Sequence, residues 1–328
     1  MVKLQDIEVF ENLENPLQDF SATGRKRPWK EKKTANELLA VAYDSVDVKK
    51  AARLRECSKF LRFRLYEDGS KELDSMSSCR VRLCPVCAWR RSLLVFATVK
   101  QIVDFCTKSK PFGFIFLTLT VRNCTGDRLS DTLDSLMQGW NKFIKLQAVD
   151  RAVKGWYRGM EVTHNVDMKS ESYDTYHPHF HCLLMVNKNY FSDPDSYLSQ
   201  EQWRDMWRRS MCLDYEPQVN VKRVRGGDMG AIAECAKYAV KDSDYLIPDD
   251  WDLTVETVRI LDKALHNRRF VAYGKRFKEA KKLLKLDDEE NGSLIDVGDG
   301  VKHGENEPYV YESYFWFSGY RQYFKIPE

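Results

Sequence analysis

The 328 residues predict an α+β protein, and three observations carry that prediction. Short β-branched and aromatic runs, such as residues 114–121, alternate with longer segments whose apolar residues recur at helical spacing. Four cysteines bracket a hairpin signal between residues 57 and 87. Three of the six histidines fall within five residues, at the head of the apolar run 182–186.

The chain is long enough for one elaborated domain or for a catalytic domain with a smaller module. Its net charge is only +3, yet lysine and arginine crowd the first ninety residues while residues 287–307 are acidic. A basic region beside a near-neutral whole suits a polyanionic partner. No apolar stretch reaches membrane-span length, and the N-terminus lacks a signal-peptide pattern. Nine cysteines, an odd number, then suggest free thiols and metal ligands in a reducing cytoplasm.

In order, residues 1–36 read as a basic, mobile arm, and residues 37–56 read as helical. Residues 60–66 form a strand that turns at Asp68-Gly69-Ser70 and returns through residues 71–73. The hairpin brings Cys57 near Cys79, and Cys84 and Cys87 follow at once. Four thiolates converging on a tetrahedral zinc ion would hold a segment too small for its own core, whereas ordinary buried cysteines are the plainer alternative. A helix over 88–108 completes a module spanning 37–108. Residues 114–121 and 156–163 are strands. Ser130 caps a helix bearing Leu133, Leu136, Met137, Trp140 and Ile144. Ser199 and Gln202 form a capping box before a helix with Trp203, Met206, Trp207 and Met211 on one face. Residues 219–224 form a basic strand, and Gly226-Gly227 turns into a helix over 231–245. Helices near 254–266 and 275–286, the acidic loop and an aromatic strand pair at 309–326 follow.

Two stretches carry chemistry. On a strand, His179 and His181 share a face while Phe180 and Cys182 point into packing, so two imidazoles stand side by side as a chelate for a divalent ion. Glu161, on the preceding strand, is the preferred third ligand because Mg²⁺ or Mn²⁺ favours oxygen. His164 has the opposite parity and is the alternative. The helix 231–245 buries Ile232, Cys235, Ala236, Ala239 and Val240, and its other face carries Glu234, Tyr238, Lys241 and Tyr245. A tyrosine one turn after a carboxylate and one turn before a lysine is a candidate nucleophile, against the reading of a surface tyrosine in a salt-bridged helix.

Residues 116–120, 177–186 and 234–245, in that order, resemble the HUH endonuclease superfamily. With the Cys-Pro-x-Cys-x-Trp-Arg-Arg run ending at Arg91, the chain looks like the plasmid rolling-circle replication initiators of Gram-positive bacteria. The resemblance implies a central antiparallel sheet flanked by helices, with the four-cysteine module inserted beside it. It makes residues 109–250 the catalytic nuclease domain and residues 251–328 a set of helices and strands packing on it. It implies that Glu161, His179 and His181 hold Mg²⁺ or Mn²⁺, and that Tyr238 attacks the scissile phosphate of single-stranded or hairpin DNA. The products would be a 5′-phosphotyrosine and a 3′-hydroxyl primer. Lys241 would offset phosphate charge, and Glu234 would activate a water for the terminating cut. Structural zinc on Cys57, Cys79, Cys84 and Cys87, a DNA origin, a host helicase and a DNA polymerase complete the expectation for a bacterial cytoplasmic protein, with a homodimer compatible. A transposase or mobilisation relaxase shares the same site. A zinc-bearing regulator without catalysis needs no Tyr238, and a metal-dependent hydrolase needs no tyrosine at all.

Overall fold

The computed structural model describes residues 15–108, 111–224, 229–236, 240–298, 300–301, 303–304 and 306–327. In chain order its elements are α1 (Trp29–Asp44), α2 (Val48–Glu56), β1 (Phe60–Tyr66), β2 (Lys71–Met76), α3 (Pro85–Thr107), β3 (Phe112–Thr120) and α4 (Leu129–Phe143). Then come α5 (Gln147–Ala152), β4 (Val153–Asn165), β5 (Thr175–Asn187), α6 (Gln200–Met211), β6 (Val219–Val224) and α7 (Met229–Cys235). The last are α8 (Trp251–Ala264), β7 (Val271–Lys275), α9 (Arg276–Leu283), β8 (Tyr309–Phe317) and β9 (Gln322–Ile326). The chain divides into two compact units, Met1–Arg90 with Ser293–Glu328, and Arg91–Gly292.

The first unit is built on an antiparallel sheet of order β2-β1-β8-β9. The β1–β2 hairpin closes on Gly69 at φ 80°, a left-handed backbone that glycine adopts without a Cβ penalty. Asp68 Oδ1 accepts from Ser70 N at 2.9 Å and braces the turn. Alternate residues Leu61, Phe63, Tyr314, Trp316 and Tyr323 form the buried face. This unit departs from the sequence-based boundaries in two respects. The aromatic pair β8–β9 joins β1, so the chain's last strands belong with the cysteine hairpin and not with residues 109–250. From residue 15 onward the expected mobile arm is packed: Leu17 N donates to Tyr323 O at 3.0 Å, and buried Trp29 sits edge-on to Trp89 at 4.8 Å. The expected helix 37–56 is two helices, because Asp47 accepts from Lys49 N and Lys50 N and restarts the chain as an N-cap.

The second unit carries a five-stranded antiparallel sheet of order β6-β3-β5-β4-β7, with the histidine strand β5 at its centre. The strand pairing β4–β7 lies outside the sequence expectations, and it requires Gly274: a Cβ there would lie 2.0 Å from Trp156. One face packs under Val95, Val99 and Ile102 of α3, Ile232 and Ala236 at α7, and Phe277 of α9. On the other face, Trp140 of α4 meets Phe180 and Phe143 of α4 meets Trp207 in edge-on ring contacts of 5.7 Å and 5.6 Å. The capping box is present, with Ser199 N donating to Gln202 Oε1 at 2.7 Å and Gln202 N donating to Ser199 Oγ at 3.2 Å. Ser130 is not the cap of α4. A 3₁₀ turn at Gly126–Arg128 leads into that helix, which puts Arg128 at the cap.

The helix expected over 231–245 is also shorter. α7 ends at Cys235, Lys241 has extended backbone (φ −83°, ψ 150°), and Asp242–Asp244 make a 3₁₀ turn. Lys241 N donates to Asp244 Oδ2 at 3.3 Å instead of continuing a helical ladder. Glu234 and Lys241 therefore do not share a helix face, and Tyr245 is buried beyond the helix. Tyr238 and Gly226-Gly227 lie outside the described residues.

Candidate functional site

The hairpin positions the first cluster. Cys57 ends α2, Cys79 follows β2, and Cys84 and Cys87 stand at the start of α3. Cys57 Sγ lies 3.6 Å from both Cys84 Sγ and Cys87 Sγ, and Cys79 Sγ lies 3.8 Å from Cys87 Sγ. A tetrahedron with Zn–S bonds of about 2.3 Å has edges of about 3.8 Å, so the four sulfurs stand at the spacing of a thiolate cage. Backbone N–H groups of Cys79, Val81 and Cys87 point at the sulfurs from 3.4–3.5 Å. All four cysteines are buried and free of disulfides.

The surroundings supply the countercharge. Lys33 and Asn36 are wholly buried. Lys33 Nζ donates to Asn36 Oδ1 (3.2 Å), Arg55 O (2.9 Å) and Cys57 O (2.6 Å), and Asn36 Nδ2 donates to Cys84 Sγ at 3.3 Å. Burial pulls the lysine's pKa down, while Cys57, Glu37, Cys84 and Cys79 pull it up. An ammonium in such a place needs nearby negative charge, which four thiolates on a zinc ion would provide. The donor set thus fits a structural zinc ion. Neither Lys33 nor Asn36 was legible as part of this site, since both lie in the segment that reads as a free arm.

The second cluster sits on the sheet of the second unit. Cross-strand register places Thr120, His179 and Glu161 in one row, and Asn220, Thr118, His181 and Gly159 in the next. His179 Nε2 is 3.1 Å from His181 Nε2 and 3.4 Å from Glu161 Oε2, and His181 Nε2 is 3.0 Å from that oxygen. Three atoms on one face of an octahedron with bonds of about 2.1 Å are about 3.0 Å apart, which these separations approach. His179 Nδ1 lies 3.1 Å from His177 O, a contact that orients the ring with Nε2 toward the cluster. His181 Nδ1 is 3.4 Å from Thr118 Oγ1. Two imidazole nitrogens and a carboxylate oxygen aimed at one point suit a divalent cation.

Electrostatics favour the carboxylate form of Glu161. Burial alone would raise its pKa, but hydrogen bonds from His179 and His181, with the charges of His179 and Lys241, hold it far below the usual carboxylate range. Lys241 Nζ stands 3.3 Å from Glu161 Oε1, and Glu234 Oε1 stands 3.9 Å from His181 Nε2. Glu234 and Lys241 are thus brought to the rim of the cluster although the continuous helix expected to do so is absent. His164 points away. Its Nε2 meets Asp174 Oδ1 at 2.9 Å, its Nδ1 meets Asp244 O at 3.1 Å, and its ring stacks on Tyr176. The strand alternation that separates His164 from Glu161 was readable in advance. The Thr118 and His177 contacts were not, because they depend on which strands become neighbours.

No helix among the described residues is long and apolar enough to cross a membrane. Comparison with known proteins gives the family. Residues 70–324 match the family model described as Replication protein. Protein rep of Bacillus amyloliquefaciens is 38% identical over 346 residues, covering 95% of this chain and 98% of that protein. Protein rep of Streptococcus pneumoniae serotype 2 is 37% identical over 300 residues, covering 89% and 91%. Protein rep of Lactiplantibacillus plantarum is 36% identical over 292 residues, covering 86% and 90%. No solved structure matches the chain. The matched span contains three of the four clustered cysteines and the whole Glu161-His179-His181 cluster, and the chain belongs to the replication protein family.

Proposed function

We propose that this replication protein is a plasmid rolling-circle initiator of the HUH type, nicking one DNA strand at its origin and rejoining it through a tyrosine. The observation that carries the reading is the cluster of Glu161, His179 and His181 on a rigid central strand pair, with Lys241 and Glu234 at its rim. In this reading residues 109–250 hold the nuclease chemistry. Glu161, His179 and His181 would hold a divalent ion, whose positive charge would polarise the scissile phosphate. Tyr238 Oη forms the new bond to phosphorus as the P–O3′ bond breaks. The phenolic proton is lost and the departing O3′ gains one, so a 5′-phosphotyrosine and a 3′-hydroxyl primer result. Lys241 offsets charge on the phosphate oxygens. For the last cut, Glu234 accepts a proton from water as its oxygen attacks the regenerated site, and O3′ again leaves. The four-cysteine cluster supplies all four positions of a tetrahedral ion, so a zinc ion held there would be structural. DNA, a host helicase and a polymerase are the partners this reading requires.

The test is a covalent adduct. Mixed with supercoiled DNA of its own replicon and Mg²⁺ or Mn²⁺, the full chain should leave a denaturation-resistant protein–DNA species. Tyr238→Phe removes one oxygen and keeps the ring, so DNA binding should survive and the adduct should vanish. An adduct that persists in that variant, or that maps to buried Tyr245, would overturn the assignment of the nucleophile.

A further inference from the structure

The second row of the metal-bearing face does not stop at the cluster. It runs from His181 through Thr118 on β3 to Asn220 on β6, the edge strand of the sheet. Two strand spacings put Asn220 about 10 Å from His181, on the same face. Beside it opens a groove of about 560 Å³, lined by Thr118, Thr120, Gln200, Arg204, Gln218 and Asn220 among others. That volume lies within the roughly 300–1,000 Å³ of ligand pockets, but those are mostly apolar and this lining is mostly polar. The side-chain amides of Gln200, Gln218 and Asn220 have no hydrogen-bond partner among the described residues, and all three residues are exposed. Arg204 Nη1 is held on the groove wall by Glu216 Oε2 at 3.2 Å. Thr120 Oγ1 donates to Gln218 O at 2.9 Å and ties the Gln218 backbone to β3.

We propose that this groove is a base-reading subsite for single-stranded DNA, holding the nucleotide next to the scissile phosphate. A side-chain amide presents one donor and one acceptor side by side, which matches the paired edge of adenine. An unpaired strand exposes such edges, whereas a duplex hides part of them. Gln218 and Asn220 read the base edge. Lys222, two residues after Asn220 on the same face of β6 and exposed, takes the flanking phosphate. The subsite rests on the reading that a DNA strand passes the Glu161-His179-His181 cluster, and it adds which bases that strand carries.

The experiment is equilibrium binding of the Tyr238→Phe chain to single-stranded oligonucleotides of the nick region, each with one base changed. Because no cleavage is needed, failure of the nicking chemistry and failure of the subsite are read separately. The Tyr238→Phe chain should discriminate at a position flanking the nick by about fivefold to a hundredfold, the range of one bidentate amide–base pair. Adding Asn220→Ala or Gln218→Ala should flatten that position and leave discrimination elsewhere. Adding Asn220→Asp, which replaces the amide donor with an acceptor, should move the preference at that position toward cytosine. Adding Lys222→Ala should weaken every oligonucleotide alike and lower the salt slope by about one. A base profile unchanged by all three amide variants would overturn the proposal, as would a uniform loss of binding with the profile retained.

Discussion

The two clusters draw donors from different kinds of structure, and their accessibility differs accordingly. Cys57, Cys79, Cys84 and Cys87 come from the ends of elements, where a hairpin and a helix start are pulled together, and none is more than 6% exposed. Glu161, His179 and His181 come from the interiors of two paired strands, with registers set by the surrounding ladder. Their imidazoles keep 10–11% of their surface, and Glu234 and Lys241 beyond them keep 38% and 48%. A cage of four protein donors completes a tetrahedral ion, so its binding energy goes into holding the chain together. A face of three donors leaves positions for substrate oxygens. In this protein the loosely patterned region gathers donors into a closed cage suited to holding structure, and the strongly patterned sheet presents an open face of donors suited to chemistry.

The comparison breaks most readily at the closed cluster. Binding of structural zinc in small modules is worth about 10–16 kcal/mol at neutral pH, as much as the whole stability of an ordinary domain. Cys84→Ser should therefore lose stoichiometric zinc and the cooperative melting of the first unit. Melting like the unaltered chain in a zinc-free Cys84→Ser protein would end the structural reading. At the open cluster the effect falls on activity. His179→Ala should cut nicking by more than about 100-fold, since even residues behind metal ligands cost 10–100-fold. Zinc content and melting should stay as they were, and retained nicking would remove His179 from the site.

Glu234→Gln sharpens the contrast further, because it touches the rim and not the donors. Initial adduct formation should persist, while termination at a regenerated origin slows by about 100-fold or more, the usual weight of a general base. Unchanged termination would leave Glu234 as a helix residue. The smallest effect belongs to the first unit's own electrostatics. Glu312 is held between Lys71 and Lys325, each at 2.8 Å. Burial raises its pKa, but hydrogen bonds from Lys325, Lys71 and Tyr314 bring it from 4.5 down to about 2. Its folded pKa is below the unfolded one, so its contribution is complete above pH 4.5 and is lost as pH falls toward about 2. Thermal melts across that window should show a fall in stability that Glu312→Gln lessens, and identical slopes would discount the pair of lysines.

Local pattern made some of this legible. Alternation on a strand placed His179 and His181 together and set His164 on the other face from Glu161, because side-chain period in a strand is a local property. The hairpin turn at Gly69 brought the cysteines into reach for the same kind of reason, and the Ser199–Gln202 box announced α6. Other readings failed where local pattern continued past a real boundary. Val240 keeps the apolar period of a helix and is buried, yet the chain after it is extended at Lys241 and then makes a 3₁₀ turn. Periodicity reports burial, not the backbone that achieves it.

The sequence by itself determined which residues are candidates for chemistry: four thiols, two in-register imidazoles, a carboxylate on the preceding strand and a basic strand. Residue type and spacing along one element are enough for that, since a thiol or an imidazole has few other uses in such density. Only the tertiary structure decided that β8 and β9 belong with the cysteine hairpin, that Lys33 is buried against Cys57, and that Asn220 stands in a row with Thr118 and His181. Those are pairings between segments tens to hundreds of residues apart. They follow from which faces can be buried together, a property of the whole sheet that no single stretch encodes.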